Sequence, residues 1–245
     1  ISIYLRRFLQ ETPVFKKMRE SKALAKFPLE EVVKTSRFGI WISMFITWVL
    51  TGCIVVFILL MPGFVGGVLG FSPFETTYFQ MGGLVCIVSS CWLTGRLADK
   101  HNPSTLCILF SAGFAVSSVA FFSLLYTAAP VVSEVVLAYF ATCFFAGIMN
   151  FCPIFMCDVF PARIRFSGIS FAYNIAYALS GAFTPQLSFA LHAYAKTHPD
   201  TLGAMGLSAY IVFLALVSIG TALAMRRVYK NGGAAVSQME FRPAP

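Results

Sequence analysis

Charge is what this sequence lacks most. Only 11% of its 245 residues are Asp, Glu, Lys or Arg, against 58% hydrophobic, where a soluble domain carries about 25% charged residues. That excludes a water-soluble globular domain and makes lipid the solvent for most of the chain. In lipid only helices and closed barrels satisfy the backbone. The ten-residue alternating segments of a barrel are missing, and the apolar runs are long and continuous, so the sequence reads as an all-α membrane protein. Ionisable residues are missing from the middle of every run; Glu75 and Glu134 stand at run ends. There is no phosphate-binding glycine loop, no H-E-x-x-H pair and no nucleophile elbow. Neither an enzyme nor a metal site nor a cofactor is expected. His101, His192 and His198 read as solvated loop residues. No loop holds a cysteine pair. Cys53, Cys86, Cys91, Cys107, Cys143, Cys152 and Cys157 all fall in or at the ends of apolar runs, as small packing residues do.

Six runs are long enough to cross the ~30 Å hydrocarbon core as a helix of about 20 residues. They cover about 38–61, 76–94, 104–126, 131–157, 167–191 and 205–225. Pro62-Gly63 is expected to end the first, with a glycine-rich loop up to Pro73. The fourth is long enough to need a tilt or a kink, and Pro153 supplies one. Residues 1–10 read as the end of a preceding span. Residues 11–37 form a polar loop, in which Pro13 and Pro28 suit the first turns of two short helices. These either lie along the membrane surface or belong to a solvated linker. Residues 231–245 read as a disordered tail. The sequence opens on Ile and shows no signal peptide, so it reads as the later part of something longer.

The net charge of +8 does not point to nucleic acid, because its positions follow the membrane. Of the 18 Lys and Arg residues, 17 lie before 38 or in the stretches 96–103, 158–166 and 226–245; only Lys196 lies on the other side. By the positive-inside rule those stretches are cytoplasmic, and both ends of the six-span bundle face the cytoplasm.

Three signatures recur in one family. Gly95-Arg96-Leu97-Ala98-Asp99-Lys100 resembles the G-x-L-A-D-[KR] loop of the major facilitator superfamily. Asp158-Val159-Phe160-Pro161-Ala162-Arg163-Ile164-Arg165-Phe166-Ser167-Gly168 is similar to the acidic-x-x-Pro-x-x-x-Arg-x-x-Gly junction before span eleven of such transporters. Tyr4 to Phe15, with Arg6-Arg7 and Pro13, and Ser170 to Thr184, with Tyr173-Asn174, resemble the metabolite:proton symporter branch. That branch includes proline/betaine, 2-oxoglutarate, citrate and shikimate permeases. The first motif departs at Pro103-Ser104, where a fuller loop is glycine-basic; its cationic role falls to Arg96 and Lys100.

The resemblance implies that the chain is the C-terminal half of a twelve-span carrier in a bacterial-type inner membrane. Its partners would be the bilayer, an N-terminal six-helix half and a small-molecule substrate, with the proton gradient as driving force. No span here holds an ionisable proton carrier, so that role would fall to the other half. Alternating access needs charged loops that clasp the two halves and let go. Gly95, Asp99, Lys100, Asp158, Pro161, Arg163, Arg165 and Gly168 are the candidates; the other reading is that the charges anchor helix ends at the headgroups. Polar stripes at helical spacing supply substrate-pathway candidates: Thr47, Trp48 and Thr51 on the first span, Tyr139 and Asn150 on the fourth. Ser and Thr also bond their own backbone, and Asn glues helices together. Asn174 and Tyr177 read as helix-packing residues. The expected function is proton-coupled import of a small polar or zwitterionic metabolite. The alternative is a truncated, non-transporting bundle that at most binds a partner.

Overall fold

The computed structural model describes residues 28–127, 129–198 and 201–230, and among these residues all regular structure is helical. The end of a preceding helix at 1–10, the short helix at Pro13 and the tail at 231–245 lie outside the described residues. The elements are α1 (Pro28–Thr35), α2 (Arg37–Leu69), α3 (Pro73–Ala98), α4 (Pro103–Leu125), α5 (Val132–Val159), α6 (Ala162–Thr197) and α7 (Thr201–Lys230).

The sequence punctuates these helices clearly. Pro73 opens α3 behind a reciprocal cap, in which Ser72 accepts from the Glu75 N–H and Glu75 accepts from the Ser72 N–H. Pro103 opens α4 behind Asn102, whose side-chain oxygen accepts from the Ser104 N–H at 2.9 Å. Both follow the preference for a polar cap followed by proline. Gly70, at φ 70°, closes α2 in the left-handed conformation that glycine adopts freely.

Five helices, α2 to α5 and α7 from Met205, are long and apolar enough to cross a membrane. The remaining expected span, 167–191, falls in α6, which has 36 residues and so extends about 54 Å, yet is not apolar enough to meet the same measure. Packing explains its composition. Its buried face reads Gly168, Ala172, Ala176, Ser180, Thr184 and Ser188, one small residue every four. α2 and α7 pack against α6, as small faces allow in a membrane, where close packing and not water exclusion joins helices.

Pro62 does not end α2. The helix loosens to a π-helical turn at Ile54–Leu60 and resumes as Met61–Leu69. Proline has no N–H, so the carbonyls four and five residues back, Ile58 and Phe57, lose their donor. Other helices replace it: Gln80 Nε2 donates to the Ile58 carbonyl at 2.7 Å, and the Tyr139 hydroxyl donates to the Phe57 carbonyl at 3.0 Å. Such replacement is how a broken helix is tolerated in lipid. α5 is also irregular ahead of Pro153, with a tight 3-10 turn at Ala146–Asn150 before the helix resumes at Phe151.

The helices alternate between two ends. At one end α1 docks on the start of α6: Val32 packs with Phe160 and Ile164, and Glu31 pairs with Arg163. At the other end Tyr126 hydrogen-bonds His192, which stacks on Phe64 at 4.0 Å. His192 is therefore a packed helix residue and not the solvated loop residue expected. The core between the ends is aromatic. Phe57 meets Phe114, Phe121 and Phe122, and Tyr139 stacks on Phe79 at 4.1 Å.

Candidate transport pathway and charged end

Three of the five substrate-pathway candidates are buried inside the packed bundle. Thr47 lies against Cys152, with oxygen and sulfur 3.8 Å apart, and the Thr51 hydroxyl donates to the Thr47 carbonyl at 2.9 Å. Tyr139 is 1% exposed, its hydroxyl committed to the Phe57 carbonyl. These groups are satisfied within the chain and present no free polar atom to a ligand.

Trp48 and Asn150 keep partial exposure. The Trp48 indole donates to the Tyr210 hydroxyl at 3.4 Å, and Tyr210 shares a 2.7 Å hydrogen bond with Thr184. Ser180 donates to the Trp48 carbonyl at 3.4 Å. Together they tie α2, α6 and α7. Trp48 stood out in the sequence beside the Thr47–Thr51 stripe, but nothing there could find Tyr210, 162 residues away. Asn150 Nδ2 reaches from the 3-10 turn of α5 to α3, donating to the Cys91 carbonyl at 3.1 Å and to Thr94 Oγ1 at 3.2 Å. The turn sits close because Gly147 faces Ser90; a Cβ on Gly147 would stand 2.1 Å from the Ser90 hydroxyl. The structure thus shows Asn150 joining two helices, one turn before the charged end of α3.

At that end the loop charges fall into two groups. Most are occupied within the chain. Asp158 accepts from the Tyr229 hydroxyl at the end of α7. Arg163 pairs with Glu31, and Arg165 Nε donates to the Phe160 carbonyl at 3.1 Å. Pro161 turns the chain from α5 into α6, and the Phe160 ring wedges between Gly39 and Gly168. A Cβ would come within 2.8 Å of that ring at Gly39 and within 2.6 Å at Gly168. Gly168 is therefore a close-approach point, whereas a Cβ on Gly95 would make only an ordinary 3.5 Å contact with Asn150. The second group is free. Asp99 and Lys100 stand exposed where α3 ends, and the Asp99 carboxylate has no hydrogen bond or ion pair among the described residues. Arg96 lies over the Trp92 ring at 4.4 Å.

α3 itself is the least buried of the five apolar helices. Its outward face carries Val85, Val88 and Trp92, all more than 60% exposed. On α6, Asn174 and Tyr177 also face outward. Asn174 donates to the Ser170 carbonyl of its own helix at 2.7 Å, and Tyr177 stacks on Tyr173. Neither joins two helices among the described residues, in contrast to the packing role read from sequence.

The Major Facilitator Superfamily model matches residues 2–185. The chain belongs to this superfamily. It is 28% identical over 221 residues to the Escherichia coli inner membrane metabolite transport protein YhjE, covering 84% of this chain and 47% of that protein. It is 23% identical over 235 residues to a Haemophilus influenzae protein provisionally named a metabolite transport protein, covering 89% of this chain and 50% of that protein. The chain thus spans about half the length of these relatives. No solved structure gives a significant match. The superfamily and the five apolar helices make this a multi-pass membrane protein, of a family of transporters and not of enzymes.

Proposed function

We propose that the chain forms the six-span C-terminal bundle of an alternating-access carrier. The carrier imports a small polar or zwitterionic metabolite, such as proline, betaine or an organic acid, by proton-coupled symport. The observation that carries this reading is the state of Asp99. Among the described residues it is an unpaired carboxylate at the end of the least buried of the five apolar helices, while Asp158 and Arg163 are already engaged by Tyr229 and Glu31. A rocking carrier needs a charge that can be clasped across the bundle interface in one state and released in another, and Asp99 is free for that. The six-helix half that would receive it belongs to the rest of the carrier, a reading supported by relatives about twice this length. The distribution of Lys and Arg supports a cytoplasmic location for both ends of the bundle.

Uptake into proteoliposomes under an imposed proton gradient tests the proposal, with labelled proline, glycine betaine, 2-oxoglutarate, citrate and shikimate. This chain alone is compared with the whole product of its gene. Gradient-dependent uptake by the whole product alone supports a half-carrier and gives the substrate class. Uptake that ignores the gradient removes the symport reading. Uptake by this chain alone removes the need for a second half.

A further inference from the structure

An apolar groove of about 370 Å³ runs between α2 and α7 at the end of the bundle that carries Arg163. Phe38, Trp41 and Phe45 form one wall; Val217 and Ala224 form the other. Trp41 stacks on Phe45 with ring centroids 5.8 Å apart, yet remains 58% exposed. Gly220 leaves the groove open, since a Cβ there would meet nothing within 4 Å. Thr221, which also borders it, turns its hydroxyl back to the Val217 carbonyl at 2.7 Å. Apart from the Trp41 indole N–H, the lining therefore offers a guest no free polar group.

The mouth is different. Arg37 directly precedes Phe38, and Arg227 stands three residues beyond Ala224, one turn on along the same face of α7. Arg226 and Lys230 are beside it. All four are exposed, and none has an acidic partner among the described residues. The carboxylates nearby are taken, Glu30 by Lys34, Glu31 by Arg163 and Asp158 by Tyr229. A helix without acidic residues laid in this groove would leave those cations unmatched. Another apolar hollow, on α3 between Leu84 and Trp92, lacks this complement, because the neighbouring Arg96 already lies on the Trp92 ring.

An apolar channel that opens on unpaired cations at a membrane surface matches an amphiphile with an acyl tail and an anionic head. We propose that this groove is a binding site for an anionic phospholipid. One acyl chain lies along Trp41 and Phe45, and the phosphate is held by Arg37 and Arg227. The inference does not depend on which substrate is carried.

The test uses the whole gene product with a photo-crosslinking benzophenone amino acid at Phe38, in vesicles of equal phosphatidylglycerol and phosphatidylcholine. Phosphatidylglycerol adducts should exceed phosphatidylcholine adducts by roughly fivefold for each arginine engaged. Arg37→Gln with Arg227→Gln should bring the ratio near one, and Arg37→Lys with Arg227→Lys should keep most of it. A ratio near one in the protein with both arginines overturns the proposal, as does an adduct to a peptide of the same protein. Should the benzophenone protein fail to fold, native mass spectrometry of the unaltered protein gives the second reading. Phosphatidylglycerol should survive delipidation, and should be lost from the double Gln variant; equal retention by both overturns the site.

Discussion

At the scale of single residues, the most consequential side chains are those that repair backbone. Tyr139 and Gln80 supply the donors that Pro62 removes from α2. Tyr139→Phe keeps the ring stacked on Phe79 but leaves the Phe57 carbonyl unpaired in a buried site, which costs about 1–3 kcal/mol. Gln80→Leu should cost a similar amount through Ile58. Unfolding by SDS in mixed micelles measures both. A Tyr139→Phe protein as stable as the parent would mean that the π turn satisfies its own carbonyls. Asn150→Ala should cost less, about 0.6–1.7 kcal/mol, the range for hydrogen bonds between membrane helices. If Asn150 also touched substrate, the KM for uptake would rise beyond what the lost stability explains. Tyr139 and Asn150 stood out in the sequence as polar positions within an apolar run, whereas Gln80 did not. Their partners could not be read there, because Phe57 lies 82 residues from Tyr139 and Cys91 lies 59 from Asn150. Periodicity reports which residues share a face and says nothing about what that face meets.

At the scale of elements, prolines and small residues decided where sequence reading held. The spans read from 76 and 104 open slightly earlier, at Pro73 and Pro103 behind polar caps, where proline's missing N–H has no partner to lose. The same residue misled at Pro62, where donors from α3 and α5 let the helix continue to Leu69. α6 was legible as a helix. Its lower apolarity follows from its row of Gly, Ala, Ser and Thr, which the packing against α2 and α7 selects. That row makes a sharp prediction. Gly168→Leu drives a side chain into Phe160 and should cost about 1–3 kcal/mol of overpacking, read as a lower melting temperature in detergent. Gly181→Leu, on the same helix, meets nothing within 4 Å and should change stability by less than about 0.5 kcal/mol. Equal losses from the two would show that the Phe160 contact does not set the effect, since the gain in helix propensity on replacing glycine by leucine is common to both sites.

At the scale of the whole molecule, the placement of charge is an argument about both topology and cycling. Residues 126–131 and 99–102 join helices at opposite ends of the bundle. With the exposed Cys157 first replaced by Ser, Val131→Cys should react with an impermeant maleimide only from outside the cell, and Lys100→Cys only from inside. The reverse pattern would overturn the orientation read from the Lys and Arg residues. Asp99 then tests the cycle itself. It is exposed and unpartnered among the described residues, so Asp99→Asn removes no interaction within this bundle. The unfolding midpoint should stay within about 0.5 kcal/mol of the parent. A contact made in only one conformational state contributes a coupling of about 1–3 kcal/mol. Initial uptake by the whole carrier should therefore fall by roughly 5- to 150-fold. Unchanged uptake would leave the carboxylate as a headgroup anchor, and parallel loss of uptake and stability would make it a packing residue. A fall in uptake at constant stability is the combination that requires Asp99 to meet something beyond this bundle during the cycle.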